Sequence, residues 1–465
     1  MRSIQPTILP RPSHSISRRL ISDNALKVLH RLKDAGYASL LVGGCVRDLM
    51  LGREPKDFDV VTDARPEEIR KLFHSARIIG RRFRLVHVRF GREIVEVATF
   101  RAAPRDVVDE VWEEAPEPEA EGDDAEDSAP ELDTDAHSGN HRDHTDHNIF
   151  GTQEEDAIRR DLSVNALYYD IRDRSVIDYV GGVQDLRAGL IRVIGDPHTR
   201  FREDPVRMLR AVRFAAKLSF RIDDKTAAPI HELAPLLAQV PPARMFEEVL
   251  KLFHGGYAAE TYTLLRHYGL FRFLFPLTDE CLSHESSGFP VIMVPRAFAN
   301  TDARINEGKT VTPAFLFAAL LWEPVRQRMQ PDIERGRPYP EALARATDAV
   351  LTQQLKHVSI PRRFSVPMRE IWELQQRLTF RQGSRALRML EHPRFRAAYD
   401  FLLLCADCGG ADPALAQWWT AFQTADDAAR HDMIAATAPT PGKSGGKRRR
   451  RGRGRRQTSP PPALG

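Results

Sequence analysis

The chain has 465 residues, of which 42% are hydrophobic and 28% charged, and its formal net charge is +4. This length and composition exclude a fibrous or wholly disordered protein and predict about three folded domains. The charges are strongly segregated. Residues 106–135 hold fifteen Asp or Glu and no Lys or Arg, whereas residues 443–456 hold nine Lys or Arg and no acid. Such separate blocks are typical of exposed segments with electrostatic partners.

The cysteines and the hydropathy pattern indicate a protein of a reducing compartment. Four cysteines in 465 residues do not make a disulfide framework. Cys405 and Cys408 end an apolar run, where burial is favoured over zinc or redox chemistry because no second CxxC completes a zinc site. No apolar run reaches the ~20 residues that a membrane-spanning helix needs. We therefore expect a cytoplasmic protein, although the Ser- and Arg-rich start leaves a transit peptide open.

The first part of the chain predicts an α+β head built on a mixed sheet. Apolar β-branched runs indicate strands, and apolar residues at helical spacing indicate helices. The predicted elements are a helix after Ser22, a strand over 39–42, a helix over 46–51, a strand over 58–62, a helix over 66–73, strands over 83–90 and 93–100, a helix over 155–166 and a strand over 176–180.

From residue 204 to about residue 435 the pattern is helical almost throughout. The predicted organisation is a flexible N-terminus (1–20), an α+β head (21–195) with a disordered acidic insertion (102–147), a helical neck (196–255), a helical body (256–438) and a disordered Arg-rich tail (439–465). The insertion ends in a His-rich stretch, for which a solvated loop is favoured over metal binding.

A first group of chemistry-bearing residues lies within 43–59. Gly43 and Gly44 allow a sharp turn whose backbone N–H groups suit a triphosphate, with Arg47 and Asp48 beside it as nucleotide-binding residues. Asp57 and Asp59 are two residues apart on a predicted strand, so both carboxylates face one side. Such a pair is repulsive unless a cation lies between them. We expect Asp57 and Asp59 to be catalytic ligands of two Mg²⁺ ions, one activating a 3′-hydroxyl and one gripping the leaving pyrophosphate.

Glu96 lies inside an apolar strand, where a charge is costly unless it is paired or next to a metal. It is a possible additional acid beside the Asp pair, and an exposed strand residue is the alternative. Residues 159–166 read RRDLSVNA. Arg160 offers donors to phosphate or ribose, and Asp161 and Asn165 share one face if the segment is helical.

A third group lies at the start of the neck, in the sequence REDPVRMLRAVR over 202–213. Asp204 could accept from an exocyclic amine while Arg207 donates to a ring nitrogen, with Arg210 on the same helix face. Adenine and cytosine present this combination of groups, whereas uracil and guanine present the reverse. The pair could therefore select ATP or CTP, and an N-capped helix with solvent-facing arginines is the alternative.

These three motifs resemble those of the class II nucleotidyltransferases, the group of bacterial poly(A) polymerases and tRNA CCA-adding enzymes. The likeness covers most of residues 38–255. It implies a nucleotidyltransferase head, a helical neck and an RNA-holding helical body. It further implies that Asp57 and Asp59 carry the metals, that Asp161 belongs to the active site, and that Gly43, Gly44, Arg47, Asp48, Arg160, Asn165, Asp204, Arg207 and Arg210 bind the nucleotide.

Within this group, residues 81–101, residues 300–322 and the Arg-rich tail are most similar to the poly(A) polymerases. The resemblance implies addition of adenylates from ATP to RNA 3′ ends, with RNA-decay machinery and RNA chaperones as partners. CCA addition to tRNA remains the first alternative, and an idle RNA-binding scaffold the second. The tail is expected to bind RNA phosphates without sequence preference through Lys447, Arg448, Arg449, Arg450 and Arg451.

Overall fold

A mixed β-sheet forms the head of the protein in a computed structural model that describes residues 4–80, 84–102, 150–283 and 290–437. The strands are β1 (Thr7–Leu9), β2 (Leu40–Val42), β3 (Asp59–Thr62), β4 (Ala76–Ile79), β5 (Leu85–Phe90), β6 (Glu93–Thr99), β7 (Leu167–Asp170), β8 (Val176–Asp178), β9 (Leu190–Ile191) and β10 (Arg221–Ile222). Eight of them form one sheet in the order β1-β8-β7-β2-β3-β6-β5-β4, and β9 and β10 form a separate parallel pair. Within the large sheet only β3 and β6 run parallel.

The expected flexible N-terminus is corrected for residues 4–20. β1 pairs antiparallel with β8, with Thr7 opposite Asp178. Ile16, further along the same segment, is 1% exposed. The pairing satisfies backbone groups that β8 would otherwise expose as an edge strand, and the buried side chains hold the segment on the head. β1 is too short, and its flanks too polar, to stand out in the sequence.

Short helices cover the two faces of the sheet. Those of the head are α1 (Asp23–Asp34), α2 (Gly44–Met50), α3 (Pro66–Leu72), α4 (Gln153–Arg159) and α5 (Gly182–Ala188). Helix α1 begins where the Ser22 hydroxyl accepts a hydrogen bond from the N–H of Ala25, as the sequence predicts. Its buried face packs into the main core of the head.

The rest of the described chain is helical except for β10. The helices are α6 (Pro197–Glu203), α7 (Val206–Leu218), α8 (Asp224–Ala227), α9 (Ile230–Leu233), α10 (Pro242–Phe253), α11 (Ala258–His267), α12 (Phe271–Leu274), α13 (Pro276–Ser283), α14 (Pro290–Asn306), α15 (Pro313–Glu334), α16 (Tyr339–Gln354), α17 (Arg362–Leu378), α18 (Ser384–Leu390), α19 (Phe395–Asp407), α20 (Pro413–Thr424) and α21 (Asp427–Ala436). This confirms the predicted α+β head followed by a helical body.

Strand alternation separates two apolar layers in the head. Leu41 and Val60 belong to the large core that continues into α7 and the body, whereas Leu40, Val42 and Val61 face a small cluster with Tyr168 under α4. Residues with the parity of Val61 therefore share a face with α4. Asp59 has that parity, so the strand directs it toward the α4 side of the sheet.

The ends of the predicted insertion meet on the surface of the head. Arg101 and Phe150 form an isolated antiparallel bridge, and the N–H of Gly151 donates to the carbonyl of Phe100 at 3.0 Å. The insertion itself, apart from residue 102, lies outside the described residues, as does the tail over 439–465. In the described part of the chain, no helix combines the length and apolar character needed to cross a membrane.

Gly182 is the tightest contact between α5 and the 3₁₀ turn at Ser163–Asn165. A Cβ at Gly182 would lie 2.2 Å from the carbonyl oxygen of Ser163. We expect Gly182→Ala to lower the free energy of unfolding by about 2 kcal/mol, because the backbone of the turn must move. Thermal and denaturant unfolding would measure the change.

Gly52→Ala is the matched control for this substitution. Gly52 has φ +69° and nothing within 4 Å of its added Cβ, so it isolates backbone strain. That strain alone costs about 1 kcal/mol. Equal loss in the two variants would contradict the packing argument at Gly182.

Candidate active site

The turn between β2 and α2 requires glycine at its first position. Gly43 has φ 80° and ψ −131°, a conformation that side chains disfavour. Its N–H donates to the carbonyl of Leu167 at 3.1 Å, which ties the turn to β7. An added Cβ at Gly43 would lie 3.5 Å from Arg160 Nη1 and 3.6 Å from the carbonyl oxygen of Asn165. Gly43 therefore brings the start of α2 against the segment that holds Arg160 and Asn165.

Three carboxylates gather beside this turn. β2 pairs antiparallel with β3, so the end of β2 lies beside the start of β3, where Asp59 begins the strand. Glu96 on β6 is the register partner of Asp59. Asp57 is exposed and lies just before β3. Burial, then the charge of Glu96, and further the charge of Asp57 raise the pKa of Asp59 to about 6, while Arg160 opposes the rise. The charges of Glu96 and Asp57 therefore both act on Asp59.

This donor set fits a hard divalent cation. Oxygen ligands from carboxylates are what Mg²⁺ takes in proteins, and one or two such groups usually suffice because phosphates and water complete the shell. Among the described residues, no group of three or more His, Cys, Asp and Glu is placed so that it could hold a metal ion. Glu96 lies 3.4 Å from His87 Nε2, and its side chain is 49% exposed. Glu96 thus already has a partner, and Asp57 and Asp59 remain the predicted ligand pair.

The predicted helix over 155–166 is wrong beyond Arg159. α4 ends there, Arg160 is extended with ψ 165°, and Ser163–Asn165 forms a 3₁₀ turn. The backbone of this segment pairs instead with residues 192–194. The N–H of Ser163 donates to the carbonyl of Arg192, and the N–H of Ile194 donates to the carbonyl of Asp161. Asp161 and Asn165 consequently do not share a helix face.

Asp156 organises the α4 side of the site. Its two carboxylate oxygens accept hydrogen bonds from Arg159, Arg160 and the hydroxyl of Tyr168, at 2.7 to 3.1 Å. Burial would raise the pKa of Asp156, but the two arginines and these hydrogen bonds hold it below its usual value. The Arg160 guanidinium lies 5.5 Å from the Tyr168 ring centroid. Arg160 is therefore fixed beside Asp59 by Asp156 and cannot swing freely.

Asp161 joins the head to the neck helix α7. Its Oδ2 accepts from Arg210 Nε at 2.7 Å, and Arg210 Nη2 lies 2.6 Å from the same oxygen. Burial would raise the pKa of Asp161, but the charge and hydrogen bonds of Arg210 hold it below its usual value. Asp161 is ionised at neutral pH, and its Oδ1 accepts the N–H of Leu162.

Arg47 forms a second bridge between head and neck. It is 1% exposed, and its guanidinium donates to Asp48 Oδ1 at 2.8 Å and to Asn165 Oδ1 at 2.5 Å. Its guanidinium carbon also lies 5.2 Å from the ring centroid of Phe214 on α7. The structure thus brings Arg47, Asp48 and Asn165 together, but it occupies Arg47 with protein partners.

Asp204 and Arg207 flank the start of α7, and each side chain already has a partner. Asp204 Oδ2 accepts from Arg244 Nη2 at 2.7 Å, and Arg207 Nη1 donates to Glu203 Oε2 at 2.6 Å and to the carbonyl of Arg200 at 2.8 Å. Asp204 is the residue that ends α6, and its Oδ1 accepts the N–H of Val206. Asp204 is extended and precedes α7, whereas Arg207 lies in its first turn, and a base would compete with Glu203 for Arg207.

Sequence reasoning missed several residues that hold this site. Asp156 precedes Arg159 and Arg160 by three and four residues, a helical spacing that could have revealed the pair. Arg213 was visible as the next cation on the Arg210 face. It has no ion pair among the described residues, and its Nε is buried without a hydrogen-bond partner. Arg244 lies 40 residues from Asp204, so no local pattern could have paired them.

The site residues predicted in the tail, Lys447, Arg448, Arg449, Arg450 and Arg451, lie outside the described residues. The remaining predicted residues all lie around the α4 side of the sheet and the start of α7. They form two subsites, one of carboxylates at β3 and β6 and one of paired Asp and Arg residues at the head–neck junction.

Three family profiles match the chain. "Poly A polymerase head domain" matches residues 39–192, "Probable RNA and SrmB- binding site of polymerase A" matches 219–282, and "Polymerase A arginine-rich C-terminus" matches 335–457. The first covers the carboxylate subsite, Asp161 and Asn165. The other two cover much of the neck and body.

Individual relatives agree with these profiles. Poly(A) polymerase I of Escherichia coli O157:H7 is 48% identical over 433 residues, covering 90% of this chain and 86% of that protein. Poly(A) polymerase I of Haemophilus influenzae is 42% identical, covering 93% and 91%. A CCA-adding enzyme of Geobacillus kaustophilus is 35% identical but covers only 54% of each chain.

The fold has a solved counterpart as well. The CCA-adding enzyme of Bacillus stearothermophilus, solved with CTP, superposes with a TM-score of 0.56 at 24% identity, covering 89% of this chain and 82% of that one. At this identity the match concerns the fold alone. The family is shown by the three profiles and by relatives more than 40% identical over about nine-tenths of the chain. The chain belongs to the bacterial poly(A) polymerase family.

Proposed function

We propose that this protein adds adenylate residues from ATP to RNA 3′ ends without a template, using two Mg²⁺ ions held by Asp57 and Asp59. The observation that carries the proposal is the position of Asp59 at the start of β3, beside the glycine turn and in register with Glu96, where burial and then the charges of Glu96 and Asp57 raise its pKa to about 6. Crowded carboxylates of this kind are destabilising by themselves, so a bound cation is their natural complement.

Bound at this pair, divalent cations would neutralise charge on the triphosphate and make the attacking 3′-hydroxyl a better nucleophile. The chain's own residues do the positioning. The Gly43–Gly44 turn lets backbone approach the triphosphate, and Arg160, held by Asp156, offers its remaining donor capacity to phosphate oxygens. Arg47 acts through Asp48 and Asn165 as a positioning residue. No covalent intermediate with the enzyme is needed.

The head–neck junction would hold the nucleoside. The ionised Asp161 would accept from a ribose hydroxyl through the second lone pair of Oδ1, which also accepts the N–H of Leu162, and Arg210 keeps the carboxylate oriented. Asp204, oriented by Arg244, would accept a hydrogen bond from the adenine amine. Arg207 would release Glu203 and donate to a ring nitrogen of the base instead. This pairing also suits cytosine, so the junction alone does not distinguish polyadenylation from CCA addition to tRNA.

Coverage of the relatives favours polyadenylation. The poly(A) polymerase I sequences align over about nine-tenths of the chain, and the CCA-adding sequences over about half. The Arg-rich C-terminal profile belongs to the former. We further propose a cytoplasmic location and, as partners, RNA-decay machinery and RNA chaperones, which the resemblance to this family implies.

Incubation with a generic 3′-hydroxyl RNA and each single NTP tests the reaction. We expect long A tracts with ATP, little incorporation of UTP or GTP, and none after magnesium is chelated. Addition confined to C, C and A on tRNA would instead establish the CCA-adding alternative. Absence of incorporation with every NTP would favour the RNA-binding scaffold.

Arg207→Ala should lower the preference for ATP over UTP about tenfold in the same assay, because a donor to the base is lost. Arg202→Ala is its control, since Arg202 is exposed and pairs with Glu232 away from the start of α7.

Replacing either metal ligand should separate chemistry from RNA binding. We expect Asp57→Asn and Asp59→Asn to reduce adenylate incorporation at least about a thousandfold, because the cation site loses a charge. RNA affinity, measured by filter binding without ATP, should stay within about twofold, since non-specific affinity rests on phosphate contacts. Glu54→Gln is the control, because Glu54 is an exposed acid just upstream. Incorporation above a thousandth of wild type would refute the metal role.

Glu96 can be tested through the magnesium requirement. If its charge supports the cation site, Glu96→Gln should raise the Mg²⁺ concentration for half-maximal activity about tenfold. His87→Gln removes the His87–Glu96 pair but keeps the carboxylate, so it should leave the requirement unchanged. An unchanged requirement in Glu96→Gln would show that Glu96 only partners His87.

A further inference from the structure

The C-terminal part of the body carries a basic pocket far along the chain from the catalytic residues. It lies where α17 ends and α18 begins, with Gly383 (φ 61°) turning the chain between them. The pocket has a volume of about 310 Å³. We call it the Phe380 platform, and its lining residues are Arg377, Phe380, Arg385, Arg388 and Met389.

The charge of the platform is not neutralised within the described residues. Arg377 and Arg385 are exposed and have no ion pair there, and Arg388 bonds only to the hydroxyl and carbonyl of Ser384. Glu373 and Glu391, the acids nearest in sequence, form no ion pair with these arginines in the same part of the chain. Three cations thus surround one opening without a counter-charge.

An aromatic ring lies among these cations. The Phe380 side chain is 47% exposed, whereas Met389 beneath it is 3% exposed. The Arg385 guanidinium carbon lies 5.8 Å from the Phe380 ring centroid. The neighbouring Arg381 lies 5.8 Å from the ring centroid of Trp418 on α20. An isolated exposed apolar residue needs no explanation, but a ring placed among unpaired arginines has the composition of a stacking site.

We propose that the Phe380 platform binds single-stranded RNA upstream of the 3′ end, with one base stacked on Phe380 and flanking phosphates held by Arg377, Arg385 and Arg388. Base–aromatic stacking combined with cationic tracking of the backbone is how proteins hold single strands without sequence preference. The inference rests on the proposed function, which makes RNA the substrate.

The size of the surface argues against a folded protein partner. A stable protein–protein interface needs about 800 Å² on each side, including a sizeable apolar centre. The platform offers one exposed ring, which a single base can cover. An acidic peptide would use the arginines but has no need for the ring.

The chain itself extends the positive charge of the platform. Thr437, the last described residue, accepts a hydrogen bond from Gln382 Nε2 at 3.1 Å, and its hydroxyl donates to the carbonyl of Arg381 at 3.5 Å. The nine Lys or Arg of residues 443–456 follow within a few residues. The described part of the chain therefore ends next to the platform, and a strongly basic segment follows it in sequence, which favours a polyanionic occupant.

The platform belongs to a separate apolar cluster from the head. Met389 and Leu378 pack with Trp419 and Phe422, whereas the catalytic strands belong to the larger core. Changes at the exposed platform residues should consequently alter how RNA is held and leave the chemistry at Asp57 and Asp59 unchanged.

The test compares Phe380→Ala with Phe380→Trp in the full-length protein. Affinity is measured without ATP for an unstructured RNA of about 30 nucleotides, and KM is measured for that RNA and for one of about 6 nucleotides. We expect Phe380→Ala to weaken binding of the long RNA about tenfold and to raise only its KM, whereas Phe380→Trp retains wild-type values. Both variants should keep kcat and the KM for ATP.

Two further variants test the charge of the platform and the effect of removing an exposed apolar side chain elsewhere. The double variant Arg377→Ala/Arg385→Ala should reduce the salt dependence of long-RNA affinity by about 1.4 in log–log slope, or about 0.7 for each phosphate that is no longer neutralised. Leu355→Ala removes another exposed apolar side chain (43% exposed) outside the platform and should have no effect. Thermal unfolding of each variant checks that the fold is kept.

Three outcomes would overturn the platform proposal. Phe380→Ala could match Leu355→Ala, or it could affect short and long RNA equally. The platform variants could instead gain RNA affinity, which would identify the acidic residues 106–135 of the same chain as the occupant. Failure of the proposed function is recognisable separately, because the wild-type protein would then incorporate no nucleotide at all.

Discussion

The position of the neck helix α7 against the head is fixed by two contacts, an ion pair and an arginine packed on an aromatic ring. Asp161 of the head accepts from Arg210 of α7, and Arg47 of the head lies against Phe214 of the same helix while donating to Asn165. A buried arginine is tolerated only when its donors are satisfied, so each contact fixes the geometry on both sides. The proposed nucleoside site depends on α7 being held against the head in this way.

Two carboxylates on the same side of the sheet, Asp156 and Asp59, have pKa values shifted in opposite directions. Asp156, which accepts hydrogen bonds from four residues, has a lowered pKa, while Asp59, which faces two other acids, has a raised one. Asp156 is thus satisfied by protein partners, whereas the charge of Asp59 is one that a cation would stabilise. This contrast is a physical reason to assign a structural role to one carboxylate and a chemical role to the other.

The local sequence was sufficient to predict a structural feature when that feature depends mainly on the spacing of residues within one helix or strand. The Ser22 cap, the strand at Asp59 and the placement of Glu96 beside it follow from spacing and alternation, and the structure has all three. The helix over 155–166 failed because residues 161–163 pair with residues 192–194, which a helical pattern cannot show. β1 was missed for the same reason, since three residues form a strand only when β8 is beside them.

The site followed a similar division. Motifs selected the candidate residues, which stay predictions, but did not reveal their side-chain partners. Arg47 was expected to face a nucleotide and instead is buried between Asp48 and Asn165. The Arg244–Asp204 contact spans 40 residues and depends wholly on how α10 packs against α7. Side-chain partners over such separations are properties of the fold and carry no local signature.

Because Arg101 and Phe150 form a bridge, the pairing of the sheet does not depend on the length of the segment between them. Because the two ends are already held one hydrogen bond apart, lengthening the connection costs only loop-closure entropy, about 0.6 kcal/mol for each doubling. Related chains can therefore vary this segment in length and composition without disturbing the sheet. The same position would accept a fluorescent or affinity module as an internal fusion while both termini stay unmodified.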